Sequence, residues 1–517
     1  MARWDDGYVT DVVYSYASYR EMTPAWLATA ALMLGHRPPD LTQPFRFADL
    51  GCGHGLTATI VAATCPHAEV WGFDFSPAHI ESARRLASLA GLSNLHFQEA
   101  SFAELCAQPP PDAGGFDFVV AHGVMSWISA ENRARLVRIV GQWLKPGGLA
   151  YLSYNVTTGW APLLPLRDLM RAVVRTRPER TDRAVAVVLD YLDVLRSAGA
   201  GYLNLNPIAA KRLSEMRAQD PRYLAHEFLN ADWAPLTFAE VAEAMGGAKS
   251  SYIGSATLAE NVDAVSLAPD VIRPVMDAAD PVLREMVRDF GSAKGFRRDI
   301  YRRGVLAVPA PEQVRLLDAV ELVWSGRHPE TPILLPTPLG DLQGLPEIYT
   351  PLMAMLIAGN QTIGAIRQHS AFAGIAATDL LQAVVLLIVG GYAYPALPEA
   401  VRARARPGTD RLNAAIGTIN ADGGDIARLA AATTGAEVPA DPLETLVVRE
   451  KLGGQSMEIE GLTDRILATV AQAGRAVQRD GKPVQDTGEA RAIVRATLAG
   501  LLGERMTVLA RLGVISV

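Results

Sequence analysis

The sequence predicts an α/β protein built on a doubly wound parallel sheet. Apolar, strand-like runs alternate with helix-compatible runs between residues 45 and 154. A glycine-rich turn, residues 49–55, joins the first strand to the first helix, and an acidic residue, Asp74, ends the second strand. Repeated strand–helix units form parallel sheets with helices on both faces, and this is the basis of the prediction.

The residues before the first strand carry a cluster of tyrosines. The cluster consists of Tyr8, Tyr14, Tyr16 and Tyr19. A helix is expected from Pro24, because proline suits the first helical position. A proline-rich loop over residues 35–44 then leads into the sheet.

Strands and helices then alternate regularly. Strands are predicted at residues 45–50, 69–74, 95–98, 116–121 and 148–154, with helices at 55–64, 77–90, 101–107 and 130–143. The last helix is amphipathic over Asn132–Leu144, as expected of a helix that covers a sheet. The Lys-Pro-Gly-Gly segment, residues 145–148, is predicted to be a turn into the fifth strand.

The glycine-rich turn reads Asp49-Leu50-Gly51-Cys52-Gly53-His54-Gly55. A dinucleotide-binding turn would have glycine or alanine at position 56, where close packing of helix on strand requires a small residue. Leu56 is too bulky for that role. The pattern acidic-x-Gly-x-Gly-x-Gly instead resembles motif I of class I methyltransferases that use S-adenosylmethionine (SAM). This resemblance implies SAM as the cofactor and a SAM-type Rossmann sheet.

A SAM-type sheet needs two more strands, and they do not follow at once. Residues 160–231 have arginine-rich helical faces, so we interpret them as an insertion that caps the sheet or forms a dimer contact. The sixth strand is predicted at Ser250–Ser255 and the seventh within Phe296–Gly304.

The composition changes after residue 308, and the rest of the chain is expected to be mainly helical. Segments 363–375, 377–389 and 392–395 follow the order of a winged helix-turn-helix. DNA binding is disfavoured, because the chain is acidic and no basic recognition helix is evident. We therefore interpret this region as a winged-helix-like packing or partner module, followed by mainly helical residues.

Length and composition describe a foldable, acidic protein. Its 517 residues exceed one ordinary core, so about two to four domains are expected. Hydrophobic residues make up 49% and charged residues 20%. The net charge of −7 argues against a nucleic-acid partner.

Three cysteines, Cys52, Cys65 and Cys106, are too few for a disulfide framework or a four-thiolate zinc site. We therefore expect no metal. The cysteines fit a reducing compartment and the N-terminus has no apolar signal core, so a cytoplasmic location is expected.

One apolar segment, Leu380–Tyr392, raises the question of a membrane span. Its strongly apolar part is shorter than the roughly 20 residues that cross a bilayer. It contains Gly-Gly near its end, a helix stop signal. We interpret it as a buried core helix.

Candidate cofactor residues lie at the ends of the first two strands. The loop residues Gly51, Cys52, Gly53 and Gly55 let the backbone approach the methionine part of SAM, since a Cβ on the glycines would collide or forbid the dihedrals. Asp49 either holds the cofactor ammonium or caps the turn. Asp74 is expected to accept both ribose hydroxyl protons.

The adenine end is less well defined by the sequence. Phe75 either lies near the adenine or packs in the core. After the third strand, acidic Glu99 comes one position earlier than in many class I enzymes. Adenine recognition is therefore expected to rely on the backbone and Ser101.

The carboxyl ends of the fourth and fifth strands are expected to face the methyl group. His122 and Gly123 end the fourth strand beside the cofactor, and Trp127 follows; His122 is either a general base or a hydrogen-bonded wall residue. Trp127 either lines the acceptor pocket or covers the sheet. The fifth strand ends in Tyr154 and Asn155, with Trp160 beyond.

An aromatic wall at this edge would favour the sulfonium and a cationic amine through cation–π contact. A lysine acceptor must first lose a proton, which costs about 4–5 kcal/mol at neutral pH. Candidates for lowering that cost are Tyr14, Tyr16, Tyr19, His122 and Tyr154.

The chain as a whole resembles the bacterial class I methyltransferases that carry a methyltransferase regulatory domain, and is similar to rickettsial outer-membrane-protein lysine methyltransferases. The matching segments are residues 8–11, 49–55, 74–80, 122–127, 144–148, 153–155 with Gly159 and Trp160, 226–229 with Trp233 and Pro235, and 296–299 with Gly304. Thr158 replaces the usual proline of the Tyr-Asn-x-x-Pro-Gly-Trp motif.

The resemblance implies protein-lysine N-methylation, a homodimer, and an outer-membrane or surface protein as substrate before export. It also implies dimerization, middle and C-terminal domains beside the Rossmann domain. The pair His226–Glu227 either contacts substrate from the insertion or fixes a domain interface.

Five domains are predicted. They are a SAM-binding core with N-terminal cap (1–159), the helical insertion (160–231), the end of the Rossmann sheet with the regulatory domain (232–308), a winged-helix-like middle domain (309–400) and a mainly helical C-terminal domain (401–517).

Protein-lysine methylation is the leading functional hypothesis. Two alternatives stay open: an O- or N-methyltransferase of a glycan or small metabolite, with His122 as base, and a non-catalytic SAM-binding scaffold.

Overall fold

A computed structural model describes residues 8–9, 11, 16–176, 180–304, 307–330, 332–479 and 482–516. A seven-stranded sheet lies at its centre. The strands are β1 (Arg46–Leu50), β2 (Glu69–Asp74), β3 (Leu95–Glu99), β4 (Phe116–Ala121), β5 (Leu144–Asn155), β6 (Ser250–Ser255) and β7 (Phe296–Arg303).

The strand order is β3-β2-β1-β4-β5-β7-β6. The first five strands are parallel, and β7 inserts antiparallel between β5 and β6. The order reverses at β1 and β4, so the carboxyl ends of these strands open a crevice at one edge of the sheet. The predicted Rossmann sheet is confirmed, including both strands beyond the insertion.

Helices cover both faces of the parallel strands. They are α1 (Pro24–Met33), α2 (Leu56–Thr64), α3 (Pro77–Leu89), α4 (Phe102–Ala107) and α5 (Ala130–Trp143). Every residue of α2 is buried, because the helix lies between the sheet and the C-terminal region. The α5 helix buries only one stripe, including Leu136, Ile139 and Val140, as its amphipathic sequence predicts.

The fifth strand differs from the prediction at its start. It begins at Leu144, so the Lys-Pro-Gly-Gly segment lies within the strand rather than before it. The β4–β5 register is irregular between Phe116 and Phe118, opposite this segment. Gly147 has φ of +85°, which a residue with a Cβ rarely adopts. The turn residues therefore form an irregular strand start.

The insertion is helical and has its own core. It consists of α6 (Thr157–Trp160), α7 (Leu164–Arg175), α8 (Thr181–Ser197), α9 (Gly201–Leu205), α10 (Pro207–Met216) and α11 (Pro221–Phe228). Met170, Leu192, Leu213 and Phe228 are among its buried core residues. Four more helices flank the last two strands: α12 (Phe238–Gly247), α13 (Asp263–Ser266), α14 (Pro269–Asp277) and α15 (Pro281–Gly291).

The region after residue 308 is mainly helical. Its helices are α16 (Ala310–Asp318), α17 (Pro346–Ala358), α18 (Ile363–Gln368), α19 (Ala377–Val389), α20 (Glu399–Ala421), α21 (Pro442–Leu452), α22 (Ile459–Gln472), α23 (Thr487–Gly500) and α24 (Met506–Leu512). Its strands are β8 (Glu321–Trp324), β9 (Leu334–Thr337), β10 (Gly340–Gln343), β11 (Gln361–Thr362), β12 (Ala393–Pro395), β13 (Arg428–Ala431), β14 (Ala436–Pro439), β15 (Gln478–Arg479) and β16 (Lys482–Pro483).

The helices and strands of this region follow the predicted winged-helix-like order. Helices α18 and α19 are followed by β12, which pairs with β8 in a small sheet of order β11-β8-β12. The apolar segment examined for a membrane span forms α19, and its Leu380, Val384 and Leu387 are buried. In the described part of the chain, no helix is both long and apolar enough to cross a bilayer.

The C-terminal region packs tightly on the Rossmann domain. Helix α20 lies against α2, where a Cβ on Gly408 would come within 2.7 Å of the Ala63 carbonyl oxygen. The Arg411 side chain donates a hydrogen bond to the carbonyl of Ala90, at the end of α3. The large C-terminal part therefore supports the helices next to the cofactor loop.

Candidate active site

A cavity of about 550 Å³ lies at the carboxyl ends of β1, β2, β4 and β5. The insertion and the N-terminal residues close its other side. Predicted residues that line it are Tyr19, Asp49, Gly51, Cys52, Gly53, Asp74, Phe75, Ser101, His122, Gly123, Trp127, Asn155 and Trp160. The cavity thus brings together most of the residues that the sequence singles out.

The glycine loop is shaped for close approach. Gly51, Gly53 and Gly55 have φ of +77°, +54° and +68°, values that favour glycine. A Cβ on Gly51 would lie 2.6 Å from a Val124 methyl carbon. A Cβ on Gly55 would lie 2.4 Å from the Phe97 ring, and Gly55 is not part of the cavity lining. Gly53 has nothing within 4 Å of its Cβ position, so its small size leaves room for a ligand.

Asp74 is held at the end of β2 by three contacts. Its carboxylate accepts hydrogen bonds from the main-chain nitrogens of Gly53, over 2.8 Å, and Ser76, over 2.9 Å. His79 Nδ1 lies 3.2 Å from the same carboxylate. A carboxylate fixed in this way keeps lone pairs that can accept the two hydroxyl protons of a ribose.

Asp49 is buried, with 2% of its surface exposed. Burial, and then the negative charge of Asp74, raise the pKa of its carboxyl to about 8. A cationic group beside Asp49 would favour the ionised form and lower this pKa. Asp49 is therefore suited to bind the ammonium of an amino acid, as the methionine part of SAM would require.

The residues after β3 line the part of the cavity where the sequence predicts adenine recognition. Ala100, Ser101, Phe102 and Leu105 line the cavity. The Ser101 hydroxyl donates to Glu104 Oε2 over 2.7 Å and accepts from the Glu104 main-chain nitrogen, so it already caps α4. Because the Ser101 hydroxyl is used in this cap, the main-chain groups of the segment are left to form hydrogen bonds with adenine. Phe75 provides an aromatic ring in this part of the cavity, and it packs edge-to-face against Tyr8 with ring centres 5.8 Å apart.

His122 lies in a buried aromatic stack. Its ring centre is 3.6 Å from that of Tyr19, and its Nδ1 shares a hydrogen bond of 2.7 Å with the Tyr151 hydroxyl. Burial and the nearby Arg298 cation lower the pKa of His122 to about 3. A neutral imidazole with so low a pKa is a weak base near neutral pH. This environment favours the wall role.

Two of the predicted tyrosines lie elsewhere. Tyr154 is fully buried and its hydroxyl donates to Asp299 over 2.7 Å, outside the cavity lining. Tyr16 also lies outside the lining, with its hydroxyl 2.7 Å from Ser82 Oγ and its ring against His54. Tyr14 lies outside the described residues.

Several lining residues were not among the predicted site residues. They are Tyr8, His54, His79, Tyr223, Phe296 and Arg298. The pair His226–Glu227, expected either to contact substrate or to fix a domain interface, also lines the cavity. Tyr8 belongs to the N-terminal tyrosine cluster, and both the His226–Glu227 pair and the Phe296–Asp299 segment belong to matching motifs. Tyr223 lies in none of the matching motifs, so the sequence alone does not indicate a role for it.

Glu227 and Arg298 are two charged residues that line the cavity. Burial raises the pKa of Glu227 to about 7, against the lowering effects of Arg212, Asn155 and Arg167. Arg298 faces the cavity near His122, and within the described residues its buried Nε makes no hydrogen bond. A guanidinium there can bind a carboxylate.

These features fit SAM. Gly53 leaves open space beside the loop, Asp74 offers carboxylate oxygens for the ribose, and the carboxyl of Asp49 and the guanidinium of Arg298 line the same cavity. Across the described ranges, no group of three or more His, Cys, Asp or Glu residues is arranged to hold a metal ion.

Comparisons with known proteins identify methyltransferase families in this chain. A family described as "Methyltransferase domain" matches residues 47–148, and one described as "Predicted methyltransferase regulatory domain" matches residues 220–303. The uncharacterized protein sll1526 of Synechocystis is 32% identical over 511 residues, which cover 99% of both chains. A trans-aconitate 2-methyltransferase of Methylobacterium radiotolerans is 34% identical over 182 residues, 35% of this chain and 63% of that protein.

The fold also matches a solved structure over nearly its whole length. PKMT2 from Rickettsia typhi, solved in complex with AdoHcy, superposes with a TM-score of 0.71 at 20% identity, covering 97% of this chain and 100% of that one. Together with the sheet, the glycine loop and the two family matches, this agreement identifies the cofactor as SAM. The chain belongs to the family of class I SAM-dependent methyltransferases that carry a methyltransferase regulatory domain.

Proposed function

We propose that this protein transfers a methyl group from SAM to lysine side-chain amines of a protein substrate. The observation that carries the proposal is an aromatic wall in the cavity lining. The rings belong to Tyr8, Tyr19, Trp160, Tyr223 and Phe296, which all line the cavity. Aromatic faces attract cations such as an alkylammonium, and they also exclude water.

The resemblance to rickettsial outer-membrane-protein lysine methyltransferases supports the same substrate class. The motifs of that resemblance lie within residues 8–304, and the fold likeness covers 97% of the chain. It implies that the substrate is an outer-membrane or surface protein before export and that the enzyme is a homodimer.

Methyl transfer is an in-line displacement, so the protein's main task is alignment. SAM, when bound, supplies an electrophilic methyl group. Asp49, Asp74 and the glycine loop hold the cofactor, and the aromatic wall orients the amine. Removing the amine from water lowers its pKa, which reduces the cost of its deprotonation.

The small-molecule alternative loses its specific support. It relied on His122 as a general base, yet burial lowers the pKa of His122 to about 3. The trans-aconitate 2-methyltransferase likeness spans only 35% of this chain, so it does not extend to most of the additional domains.

The test incubates the purified full-length protein with methyl-labelled SAM and a lysate from its source, then separates macromolecules from small molecules. We expect label on protein, located on lysine by mass spectrometry and lost when lysines are blocked beforehand. Label confined to the small-molecule fraction would refute the proposal.

A further inference from the structure

We propose that Glu227 and Asn155 together form the binding site for the acceptor amine, with Glu227 receiving the proton that the amine loses. This inference rests on the proposed amine methylation. It assigns the acceptor site to two residues from different parts of the fold, one on the insertion and one on the sheet.

Glu227 and Asn155 meet across the cavity. Asn155 is the last residue of β5, at the edge of the sheet where the acceptor is expected. Glu227 lies in α11 of the insertion, and both residues line the cavity. The Asn155 side chain is close enough to lower the pKa of the Glu227 carboxyl. The two polar groups therefore face the same space.

The Asn155 side-chain amide is buried at this point of the cavity lining. The residue is 2% exposed, and its main chain is fixed, since its nitrogen donates to Ser126 Oγ and its carbonyl accepts from Leu236. Its Nδ2 lies beside the Glu227 carboxyl, whose pKa it lowers as a hydrogen-bond donor. Its side-chain carbonyl oxygen is an acceptor, which is the group that an ammonium, a pure donor, requires.

Glu227 is not neutralised by its neighbours. Arg212 and Arg167 are the cations that lower the pKa of Glu227, yet among the described residues neither forms an ion pair with it, and Arg212 lies 3.8 Å from Glu215 instead. The Arg167 guanidinium lies over the Trp233 ring at 4.6 Å and donates to the Asn230 carbonyl. The charge of Glu227 instead acts on the cavity tyrosines, since it contributes to raising the pKa of Tyr8 and of Tyr223.

This arrangement suits an ammonium that must become an amine. The bound ammonium gives a proton to a Glu227 carboxylate oxygen, so an N–H bond breaks and an O–H bond forms. The freed lone pair then forms the N–C bond while the C–S bond breaks, and that electron pair remains on sulfur. The pKa of about 7 matches this exchange, because the carboxyl can both accept and release a proton near neutral pH.

The test uses sinefungin, an analogue in which an amine-bearing carbon replaces the methyl-bearing sulfonium of SAM. Its ammonium reaches toward the acceptor site, so no protein substrate is needed. AdoHcy, which lacks this ammonium, is the matched ligand, and calorimetry measures both affinities. The variants are Glu227→Gln, Asn155→Ala and, as a control on the exposed face of α12, Glu243→Gln.

We expect Glu227→Gln to weaken sinefungin binding by about tenfold or more, as loss of a charged hydrogen-bond partner should. AdoHcy affinity should stay within about twofold, which also shows that the variant is folded. Asn155→Ala should reduce the sinefungin preference in the same direction, and Glu243→Gln should change neither ligand. An unchanged ratio of the two affinities in Glu227→Gln would overturn the inference.

The two proposals fail in different ways. If the lysate assay labels no lysine but the sinefungin preference depends on Glu227, the protein-lysine function fails and the amine site stands. If lysines are labelled and Glu227→Gln methylates them at the wild-type rate, with the same pH dependence, the amine site fails alone.

Discussion

The Gly53 main-chain nitrogen donates a hydrogen bond to the Asp74 carboxylate over 2.8 Å. This bond ties the glycine loop after β1 to the end of β2, and both residues line the cavity. The residue that is expected to bind the ribose therefore also fixes the loop that faces the methionine part of the cofactor.

Replacing Asp74 with alanine should strongly weaken SAM binding. The change removes the acceptor for the ribose hydroxyls and leaves the Gly53 N–H without its partner. A hydrogen bond to a charged group contributes about 1.5–3 kcal/mol, so the dissociation constant should rise by about 10- to 100-fold. Calorimetry with SAM measures this, and Asp270→Ala on the exposed start of α14 is the control. Unchanged affinity in Asp74→Ala would show that the ribose site lies elsewhere.

SAM affinity should rise with pH up to about 8 because of Asp49. In the free protein the pKa of this buried carboxyl is raised to about 8, so the group is mostly protonated at neutral pH. The cofactor ammonium favours the carboxylate, and binding must therefore release a proton below that pKa. Titrations in buffers of different ionisation enthalpy count the released protons. Asp49→Asn should abolish this part of the pH dependence; a variant that still releases the same number would show that another group titrates.

Most of the sheet could be predicted because local patterns determine it. The strands β1, β2 and β3 lie where apolar runs end in glycine or an acidic residue, and the predicted and observed bounds of β2 and β4 coincide at 69–74 and 116–121. The start of β5 could not be predicted in this way. Its Lys-Pro-Gly-Gly segment has turn chemistry, yet β5 pairs with β4 on both sides of it, at Leu144 and at Leu149, so the segment lies within the strand as an irregularity.

The acceptor side of the cavity was harder to predict, because distant segments form it. Glu227 and Tyr223 come from the insertion, and no local pattern places them beside Asn155. Tyr154 illustrates the other difficulty. Side chains alternate along a strand, so Tyr154 points away from the face of its neighbour Ser153, which accepts a hydrogen bond from the Gly123 nitrogen. Its hydroxyl binds Asp299 instead.

His122→Gln should lower the methylation rate without changing the shape of the pH–rate profile. The change removes the stacking partner of Tyr19, and we expect a loss of about tenfold through poorer alignment. The pKa of His122 is about 3, so its proton is already absent at neutral pH. Rates between about pH 6 and pH 8 should therefore keep their pH dependence. Loss of a group titrating near 6–7 in the variant would instead establish His122 as a base.

Gly408→Ala should destabilise the protein through the contact of α20 with α2. The added Cβ would lie 2.7 Å from the Ala63 carbonyl oxygen, and a backbone atom cannot move aside as a flexible side chain can. Overpacking of this kind costs about 1–3 kcal/mol, more than the helix-propensity gain of about 1 kcal/mol. Gly246→Ala is the matched control, because this position in α12 has nothing within 4 Å of the new Cβ. Differential scanning calorimetry should show a lower Tm for Gly408→Ala and an equal or higher Tm for Gly246→Ala. Because α2 follows the glycine loop directly, SAM affinity should fall in Gly408→Ala as well; an unchanged Tm and affinity would show that α20 can shift away from α2 without strain.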